Sequence, residues 1–473
     1  MAIVTAGVKT ASELAAEPRS AWLAQWAEFA ANLSFHELPA EVVARTKQVI
    51  FDCIGAMAAG MQEPEMRSLL VRLEALDGAG PSQVIGANRR LSPSNAAFMG
   101  GIAGTMLEID EGNQYARGHP GIHVVPAALI AAARLGASGE ELITAVVLGY
   151  EIGARIGIAS KLVVTMHPHG TWGTVGAAVA IARLGEADAS AMAEVINVAS
   201  SLGLTTSRKT MLEGATVRNS FAGLSNKLGF LAWEMVAAGL TGERDGIATV
   251  YGTVAATDFQ PDAMVEDLGI RYEIARNYFK RHAACRYTHA ALDALAEITA
   301  AAGGRIDPLN VLGIDVETYV WAAQLDDPEP KSMLAAKFSL PFALATTVVN
   351  GSASIAAFRD AARANRVIRA LASRVEVTED PAFTALLPAK RPARVTLRLA
   401  DGRVLTAVAM TNKGDTEDPY SDADIVAKFV DITGPVWGET KARRLIAAVE
   451  GLDRDTDPHR LLALTSTSGD SHA

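Results

Sequence analysis

Residues 131–157 read AAARLGASGEELITAVVLGYEIGARIG and contain the signals of a complete helical hairpin. The alanine-rich run ends at Gly136, a residue typical of helix C-termini because it adopts the left-handed conformation without strain. Ser138 is followed three residues later by Glu141, the spacing of a capping box at a helix N-terminus. The stretch therefore predicts two helices joined by a short loop.

A second stretch, AIARLGEADASAMAEVINVASS at 180–201, repeats the ARLG stop and the helix that follows it. Apolar residues also recur every three to four positions over 39–60, and a helix with a face of small residues is predicted over 92–110. Stacked antiparallel helical hairpins are the simplest architecture for such a chain. We expect this arrangement from residue 20 to about residue 265.

Beyond residue 305 the apolar period changes from 3.6 to 2, which is typical of strands. Strands are predicted in VLGIDVETYV (311–320), SRVEVTED (373–380) and ARVTLRLADGRVLTAVAM (393–410). Asp401-Gly402 predicts a type I′ turn between the last two strands. A helix is predicted in MLAAKFSLPFALATTVVNG (333–351), and SDADIVAKFVDIT and KARRLIAAVEGL return to a helical pattern.

The predicted fold class is therefore mainly α, with a large all-helical domain and a smaller inserted α+β domain. The helical domain comprises residues 1–268 and 409–473, and the inserted domain comprises residues 269–408. A length of 473 residues also favours more than one domain, because a single hydrophobic core seldom organises so long a chain.

Composition excludes several classes of protein. Hydrophobic residues make up 49% of the chain, which rules out a mainly disordered protein. Every window of eighteen residues contains Gly or a charge, so we predict neither a membrane span nor a membrane partner. The N-terminus, MAIVTAGVKTASELAAEPRS, lacks the order of a signal peptide, which favours the cytoplasm, and TSTSGDSHA at the C-terminus predicts a disordered tail.

Charge and cysteine usage narrow the partners further. The net charge of -10 argues against a nucleic-acid partner but allows an anionic substrate, since a site needs only a few local cations. Two cysteines, Cys53 and Cys285, are too few for a disulfide framework or a thiolate zinc site. Cys53 lies on an apolar helix face and is predicted to be part of the core.

Four polar clusters interrupt the apolar segments, and surface loops seldom lie between helices as apolar as these. The clusters are EIDEGNQYARGHPGIHVVPAALIAAARLG (108–136) with Asp110, Glu111, His119 and His123; MHPHGTWGTVGAAVA (166–180) with His167 and His169; KTMLEGATVRNSFAGLSNKLG (209–229) with Lys209, Arg218 and Asn219; and NYFKRHAACRYTHAALDALAEI (277–298) with Lys280, Arg281, His282, Arg286, Tyr287 and His289.

Three interpretations of the clusters compete. The His-x-x-x-His and His-x-His spacings can chelate a metal, but Pro120 and Pro168 interrupt the helix that would align the first pair. Single histidines can also serve as structural caps of helices. We favour an anion site, because three separate clusters each enter a helix from a Gly/Pro turn, and helix N-termini beside cations attract carboxylates.

Six stretches occur in the order and spacing of the MmgE/PrpD family, the 2-methylcitrate dehydratase-like proteins, and the resemblance covers nearly the whole chain. They are LEIDEG with GHPGIHVVPAALIAAA, HPHGTWGTVGAAVAIARLG, AGLSNKLGFLAWEMVAAGLTG, CRYTHAALDAL, AAKFSLPFALA and TEDPYSDADIVAKF. The resemblance implies a large all-helical domain, a smaller α+β lid domain, a homodimer, and chemistry on small polycarboxylates with no metal and no other cofactor. Members include 2-methylcitrate dehydratases, cis-aconitate decarboxylases and iminodisuccinate epimerases.

The resemblance also implies roles for individual residues. The family's catalytic positions fall on Asp110 with Glu111, His119, His167 and His289; His169, where relatives often have threonine, adds a candidate acid-base group. Arg218 stands where relatives usually have lysine, and Phe342 where some have tyrosine. Arginine binds carboxylates bidentately but carries protons poorly, so Arg218 is predicted to anchor substrate together with Lys280, Arg286 and Lys209.

We therefore predict a cofactor-independent lyase or isomerase that acts on a small di- or tricarboxylate by proton transfer next to a carboxylate. Dehydration of the 2-methylcitrate type is the first candidate reaction. Epimerisation of an iminodisuccinate-like dicarboxylate and decarboxylation of the cis-aconitate type remain open, because motif spacing does not separate them. A metal-dependent hydrolase and a non-catalytic carboxylate-binding protein are the alternatives from other classes.

Overall fold

The computed structural model describes residues 20–454 and 457–467 and shows a mainly helical protein with small sheets. This agrees with the predicted fold class at the level of secondary structure. The predictions for residues 1–19 and for the tail at 468–473 lie outside the described residues.

The N-terminal part is helical up to about residue 265, as the apolar periodicity predicts. Its helices are α1 (Ala21–Asn32), α2 (Ala40–Gly60), α3 (Pro64–Asp77), α4 (Pro93–Met106), α5 (Pro120–Leu135), α6 (Gly139–Ala159), α7 (Gly173–Leu184), α8 (Ala189–Ser201), α9 (Lys209–Leu212), α10 (Ser220–Ala237), α11 (Gly246–Thr249) and α12 (Asp262–Val265). Two short antiparallel ribbons, which the sequence did not predict, pair β1 (Ser82–Gln83) with β2 (Arg90–Leu91) and β3 (Ser160–Leu162) with β4 (Ala256–Phe259).

The first helical hairpin has the predicted signals. Gly136 ends α5 in the left-handed conformation with φ of 70°, and the capping box of Ser138 and Glu141 starts α6. The second hairpin differs, because Gly185 has φ of -84° and the next residue, Glu186, takes the positive φ of 57°. Both turns nevertheless reverse the chain where the ARLG stop predicts.

Helix α6 is long and apolar enough, by length and composition alone, to cross a membrane. In the structure, however, 94% of its apolar window is buried inside the protein. A Cβ on Gly149 of this helix would lie 2.5 Å from the carbonyl oxygen of Gly176 in α7. Only glycine allows the two backbones to approach so closely, and α6 is therefore a core helix of the bundle.

Helix α4 ends at Met106 rather than at the predicted Asp110. Glu108 takes a positive φ of 53°, which a continuing right-handed helix does not allow. Residues 107–111, called the floor segment below, therefore link α4 to the loop before α5 in a non-helical conformation.

Buried lysines hold the carbonyl groups of the floor segment. Lys337 Nζ donates to the carbonyl of Leu107 at 2.9 Å, and Lys428 Nζ donates to the carbonyl of Ile109 at 2.6 Å. Both lysines belong to the C-terminal half of the chain. These long-range contacts replace helical hydrogen bonds, and sequence periodicity carries no information about them.

The predicted strands form one four-stranded sheet with the order β6-β5-β7-β8. Its strands are β5 (Val311–Thr318), β6 (Val375–Glu379), β7 (Ala393–Leu399) and β8 (Val404–Ala409), and only the β5–β6 pair is parallel. The predicted type I′ turn is wrong: Gly402 has φ of 86°, but Asp401 does not have a positive φ. The amide of Gly402 donates to the carbonyl of Leu399, so a longer loop with glycine in the left-handed position joins the strands.

The remaining helices are α13 (His289–Ala301), α14 (Val320–Ala323), α15 (Met333–Lys337), α16 (Leu340–Asn350), α17 (Asp360–Ala364), α18 (Arg366–Ala372), α19 (Pro381–Thr384), α20 (Asp422–Trp437), α21 (Glu439–Glu450) and α22 (Pro458–Leu464). The single helix predicted over 333–351 is in fact two, because the Ser339 side chain caps the amide of Phe342 and Pro341 starts a new helix. Helix α20 returns to the N-terminal bundle, where Phe429 packs on Phe51 with ring centroids 5.6 Å apart.

Candidate active site

A cavity of about 290 Å³ is lined by loops of the N-terminal helical part and by residues from 278 to 391. His119, His167, His169 and Arg218 precede helices α5, α7 and α10 and all line it. Among the described residues, the charged side chains of the lining are six cations and one acid, namely Arg117, Lys161, Arg208, Arg218, Arg286, Arg391 and Glu108. The structure therefore brings together predicted residues from all four clusters around a strongly cationic cavity.

His119 is oriented by two oxygen atoms of the floor segment. Its Nδ1 lies 2.6 Å from the carbonyl oxygen of Glu111 and 2.9 Å from Asp110 Oδ2. Because both neighbours are acceptors, Nδ1 carries the hydrogen; it donates this hydrogen to the Glu111 carbonyl and lies in ion-pair contact with the Asp110 carboxylate. The other ring nitrogen, Nε2, is left to act on a molecule in the cavity.

The Asp110 carboxylate is buried but surrounded by positive charge. Burial by itself raises the pKa of this carboxyl, but the charges of His119 and Lys280 hold the pKa below its usual value. The fully buried Lys280 Nζ lies 3.5 Å from Asp110 Oδ1. Asp110 is therefore ionised and places a negative charge 2.9 Å from His119 Nδ1.

The side chain of Glu111 points away from His119 and fixes the start of α5. Its carboxyl oxygens accept hydrogen bonds from the Gly121 amide at 2.8 Å, the Tyr150 hydroxyl at 3.0 Å and the Asn277 amide at 3.2 Å. Complete burial nevertheless raises the pKa of Glu111 to about 8. Glu111 was predicted as part of the acidic motif. Its carboxyl group holds the start of α5, the helix that follows His119.

Glu111→Gln should change the pH dependence of stability. Because the pKa of folded Glu111 is about 8 against an ordinary value of 4.5, the folded state retains a proton that the unfolded state loses between these values. The stabilisation is complete below pH 4.5 and is lost as pH rises through 8. Glutamine cannot ionise, so the Tm of the variant relative to the wild type should rise from about pH 5 to about pH 9. Parallel Tm curves would contradict the assignment.

Three further histidines pack beside His119. The ring of His169 lies 4.7 Å from that of His119, 4.8 Å from His167 and 5.0 Å from His123. His123 is structural, because Nδ1 donates to the His119 carbonyl at 2.8 Å and Nε2 accepts from the Gly170 amide at 3.2 Å.

His167 and His169 differ in how much of each ring is already bonded. His167 Nδ1 accepts from the His169 amide at 3.1 Å, whereas His169 Nδ1 is buried without a partner. Burial, reinforced by the charge of Arg218, holds the pKa of both well below the usual value. Both rings are therefore neutral, and His169 has a nitrogen free to bond a molecule in the cavity.

Four arginines of the cavity retain N–H groups with no partner. The following nitrogen atoms are buried and unpaired: Nε of Arg208, Arg218, Arg286 and Arg391, and Nη2 of Arg208. An unpaired buried donor costs free energy, and a carboxylate oxygen is the acceptor that guanidinium binds best. The arrangement therefore suits a ligand with more than one carboxylate.

Two of the arginines are oriented by acids. Arg218 Nη1 pairs with Glu108, and its guanidinium lies 5.4 Å from the Phe338 ring centroid. Arg286 pairs with Asp415 through Nη2 and lies 4.3 Å above the Tyr278 ring. These fixed orientations pre-organise the cations for a planar anion.

The structure does not bring His289 and Lys209 into the cavity. His289 Nδ1 accepts from Arg286 at 2.9 Å, and Nε2 donates to the Ala284 carbonyl at 3.2 Å, so His289 holds Arg286 rather than a ligand. Lys209 pairs with Glu213, and its side chain is 77% exposed at the surface. Neither residue lines the cavity, so the structure gives no support to the catalytic role predicted for His289 or to the substrate contact predicted for Lys209.

Sequence reasoning missed Arg208, Arg391 and Tyr278. Arg208 directly precedes Lys209, and Tyr278 lies two positions before Lys280 in the same cluster. Both missed residues are therefore close in sequence to predicted ones. Arg391 follows a proline-containing loop that reads as exposed, and no local signal marks it. Burial raises the pKa of Tyr278 well above its usual value, so its hydroxyl stays protonated beside His119, whose ring centroid is 6.1 Å away.

Within residues 20–454 and 457–467, no three His, Cys, Asp or Glu side chains are grouped so that they could hold a metal ion. Cys53 and Cys285 are both free thiols. Cys53 is buried in the core as predicted, and Cys285 lines the cavity.

Comparison with known proteins identifies the family. Residues 24–264 match the MmgE/PrpD N-terminal domain and residues 282–454 match the MmgE/PrpD C-terminal domain. The chain is 23% identical over 474 residues to a cis-aconitate decarboxylase of Aspergillus terreus, covering 94% of this chain and 96% of that protein. It is 23% identical over 445 residues to the cis-aconitate decarboxylase of Homo sapiens, covering 89% and 90%. Because the two domain matches together span most of the sequence, the chain belongs to the MmgE/PrpD family.

Proposed function

We propose that the protein is a lyase that acts on a small di- or tricarboxylate by proton transfer at a carbon next to a carboxylate. One observation carries the proposal: His119, held by Asp110, shares a cavity with four arginines whose buried N–H groups are unpaired. Carboxylates pair such groups, and imidazole exchanges protons near neutral pH.

The arginines explain how the substrate would be held. Arg218 packs against Phe338, and Arg286 packs against Tyr278. The two guanidinium groups are therefore held by different aromatic rings. A substrate with two or three carboxylates can engage both at once. Such binding at several points fixes which carbon faces His119, and fixed geometry is a large part of enzymatic rate enhancement.

Proton transfer would then use Nε2 of His119. This nitrogen removes a proton from the carbon next to a carboxylate, and the negative charge that develops spreads into the carboxylate beside the arginines. In a dehydration, the hydroxyl group on the neighbouring carbon leaves as water after accepting a proton, and a double bond forms. Tyr278 is the candidate donor of that proton, because its hydroxyl stays protonated and it lines the cavity near His119.

Decarboxylation is the second candidate, since the similar proteins of Aspergillus terreus and Homo sapiens are named cis-aconitate decarboxylases. In that reaction a carboxylate leaves as CO₂, and its former carbon takes the proton. Phe342, where some relatives have tyrosine, does not line the cavity and lies 6.1 Å from the Phe358 ring. A missing hydroxyl at this position therefore does not change the cavity wall.

Product analysis separates the candidates. Purified protein is incubated with hydroxylated and unsaturated di- and tricarboxylates, and each mixture is followed by NMR. An unsaturated product that retains every carboxylate indicates dehydration, release of CO₂ indicates decarboxylation, and a stereoisomer of the starting compound indicates epimerisation. The proposal fails if no member of the panel is bound or converted.

Activity is expected without added metal. The carboxylates would be neutralised by arginines, and the proton would move through His119, so no step in the proposed mechanism requires a Lewis acid. Turnover should therefore be unchanged after dialysis against a strong chelator. Loss of activity that a divalent ion restores would favour the metal-dependent hydrolase instead.

We also propose that residues 269–408 act as a lid over the cavity. Arg286, Trp321, Phe338 and Arg391 all belong to this segment and line the cavity, which supports the proposal. The homodimer implied by the family resemblance and the cytoplasmic location remain predictions. Light scattering of the purified protein tests the homodimer, and fractionation of the source cells tests the cytoplasmic location.

A further inference from the structure

A buried ion pair between α2 and α20 forms hydrogen bonds with the floor segment. Lys428 Nζ in α20 pairs with Asp52 of α2 and also donates to the carbonyl oxygen of Ile109 at 2.6 Å. The other Asp52 oxygen accepts a hydrogen bond from the Glu111 amide at 3.0 Å. The pair therefore bonds both peptide groups that flank Asp110.

The floor segment borders a second cavity on that side. This cavity of about 770 Å³ is lined by Leu107, Ile109 and Lys428, so packed side chains do not fill the space behind the segment. The segment is also not helical, and side chains from other helices bond its peptide groups. Asp52 and Lys428 therefore bond the segment where it borders this cavity.

The chemistry of the pair fits a positioning role better than a stabilising one. Asp52 and Lys428 are 2% and 4% exposed, and burying two charges costs desolvation free energy that the ion pair only partly recovers. Apolar side chains of similar size would fill the same space without that cost. What they could not provide is a donor for the Ile109 carbonyl and an acceptor for the Glu111 amide.

We propose that Asp52 and Lys428 are positioning residues that hold Asp110 against His119. The distance that depends on them is the 2.9 Å between Asp110 Oδ2 and His119 Nδ1. If the floor segment shifts, His119 loses the carboxylate that orients it. The kinetic part of this inference rests on the proposed lyase function, whereas the structural part does not.

The test uses the double variant Asp52→Asn/Lys428→Met. Removing both charges together avoids an unpaired buried ion, and the asparagine still accepts from the Glu111 amide, so the fold should be retained. The ion pair and the donor to the Ile109 carbonyl are lost, whereas the acceptor for the Glu111 amide is kept. With a substrate identified from the polycarboxylate panel, kcat should fall by about tenfold to a hundredfold while KM stays within about twofold.

A matched control is Lys227→Met. Lys227 donates to Asn95 at 2.8 Å and packs on Phe98, and neither of these residues belongs to the floor segment. Its kcat and KM should equal those of the wild type. A double variant that melts earlier but keeps the wild-type kcat would show a merely structural pair and overturn the proposal. If the double variant does not fold, Lys428→Met alone removes the same donor to the Ile109 carbonyl, and an unchanged kcat in that variant is decisive against the proposal.

Crystal structures of the wild type and the double variant give a readout that needs no substrate. The Asp110–His119 contact should open beyond ion-pair distance in the variant and remain closed in Lys227→Met. A contact that stays at 2.9 Å in the double variant would overturn the inference whatever reaction the protein catalyses. Failure of the whole polycarboxylate panel with wild-type protein would instead count against the proposed function alone.

Discussion

His119→Gln is expected to lower turnover by about a hundredfold or more, the usual scale of general acid-base catalysis. Glutamine can place its amide nitrogen near the Glu111 carbonyl, which now accepts from His119 Nδ1 at 2.6 Å. The side chain is also of similar size, so the Tm should be nearly unchanged. What glutamine cannot do is exchange a proton near neutral pH.

Two other histidines provide matched comparisons. His36 is exposed at the surface, and His36→Gln should change neither turnover nor Tm. His123 is fully buried with both ring nitrogens bonded, so His123→Gln should lower the Tm because it leaves a buried partner unsatisfied. A His119→Gln protein that melts early but turns over normally while folded would show that the Asp110–His119 pair only joins the two loops.

Arg218→Lys is expected to weaken substrate binding by about 1 to 3 kcal/mol, the range of a charge-assisted hydrogen bond. Lysine keeps the positive charge beside Glu108 but loses the planar fork that binds a carboxylate through two hydrogen bonds. The loss should appear mainly in KM, since Arg218 is assigned to hold substrate and not to transfer protons.

Lys209→Met is the control for the loss of a neighbouring cation, because Lys209 lies at the surface and outside the cavity. Its KM and kcat should match those of the wild type. If Arg218→Lys keeps its KM and loses nearly all of its kcat, Arg218 would have to be reassigned to the chemical step.

The parts of the fold that sequence predicts depend on local signals. Gly136 and the Ser138–Glu141 capping box define a hairpin within a few residues, and the structure has both where expected. The predicted helix over 92–110 fails at its end, because Lys337 and Lys428 bind carbonyls of the floor segment from far along the chain. Contacts of that kind have no periodicity to detect.

The candidate site likewise contains residues that local sequence predicts and residues that only the folded chain brings together. Asp110 and His119 lie close in sequence, and the glycines between them made their contact predictable. Arg391 reaches the cavity from a loop near the last strands, and only the folded chain brings it there. His289 was predicted from a family motif, and the structure shows that it acts on Arg286 and not on the cavity.

Deuterium incorporation tests the central claim most directly. Wild-type protein and His119→Gln are incubated with the polycarboxylate panel in deuterated water, and NMR follows the hydrogens on carbons next to a carboxylate. The wild type should exchange such a hydrogen in at least one compound, and His119→Gln should bind that compound but exchange it at least about a hundredfold more slowly. Exchange at the same rate in both proteins would contradict proton transfer by His119, and binding without any exchange or conversion by the wild type would contradict the proposed chemistry altogether.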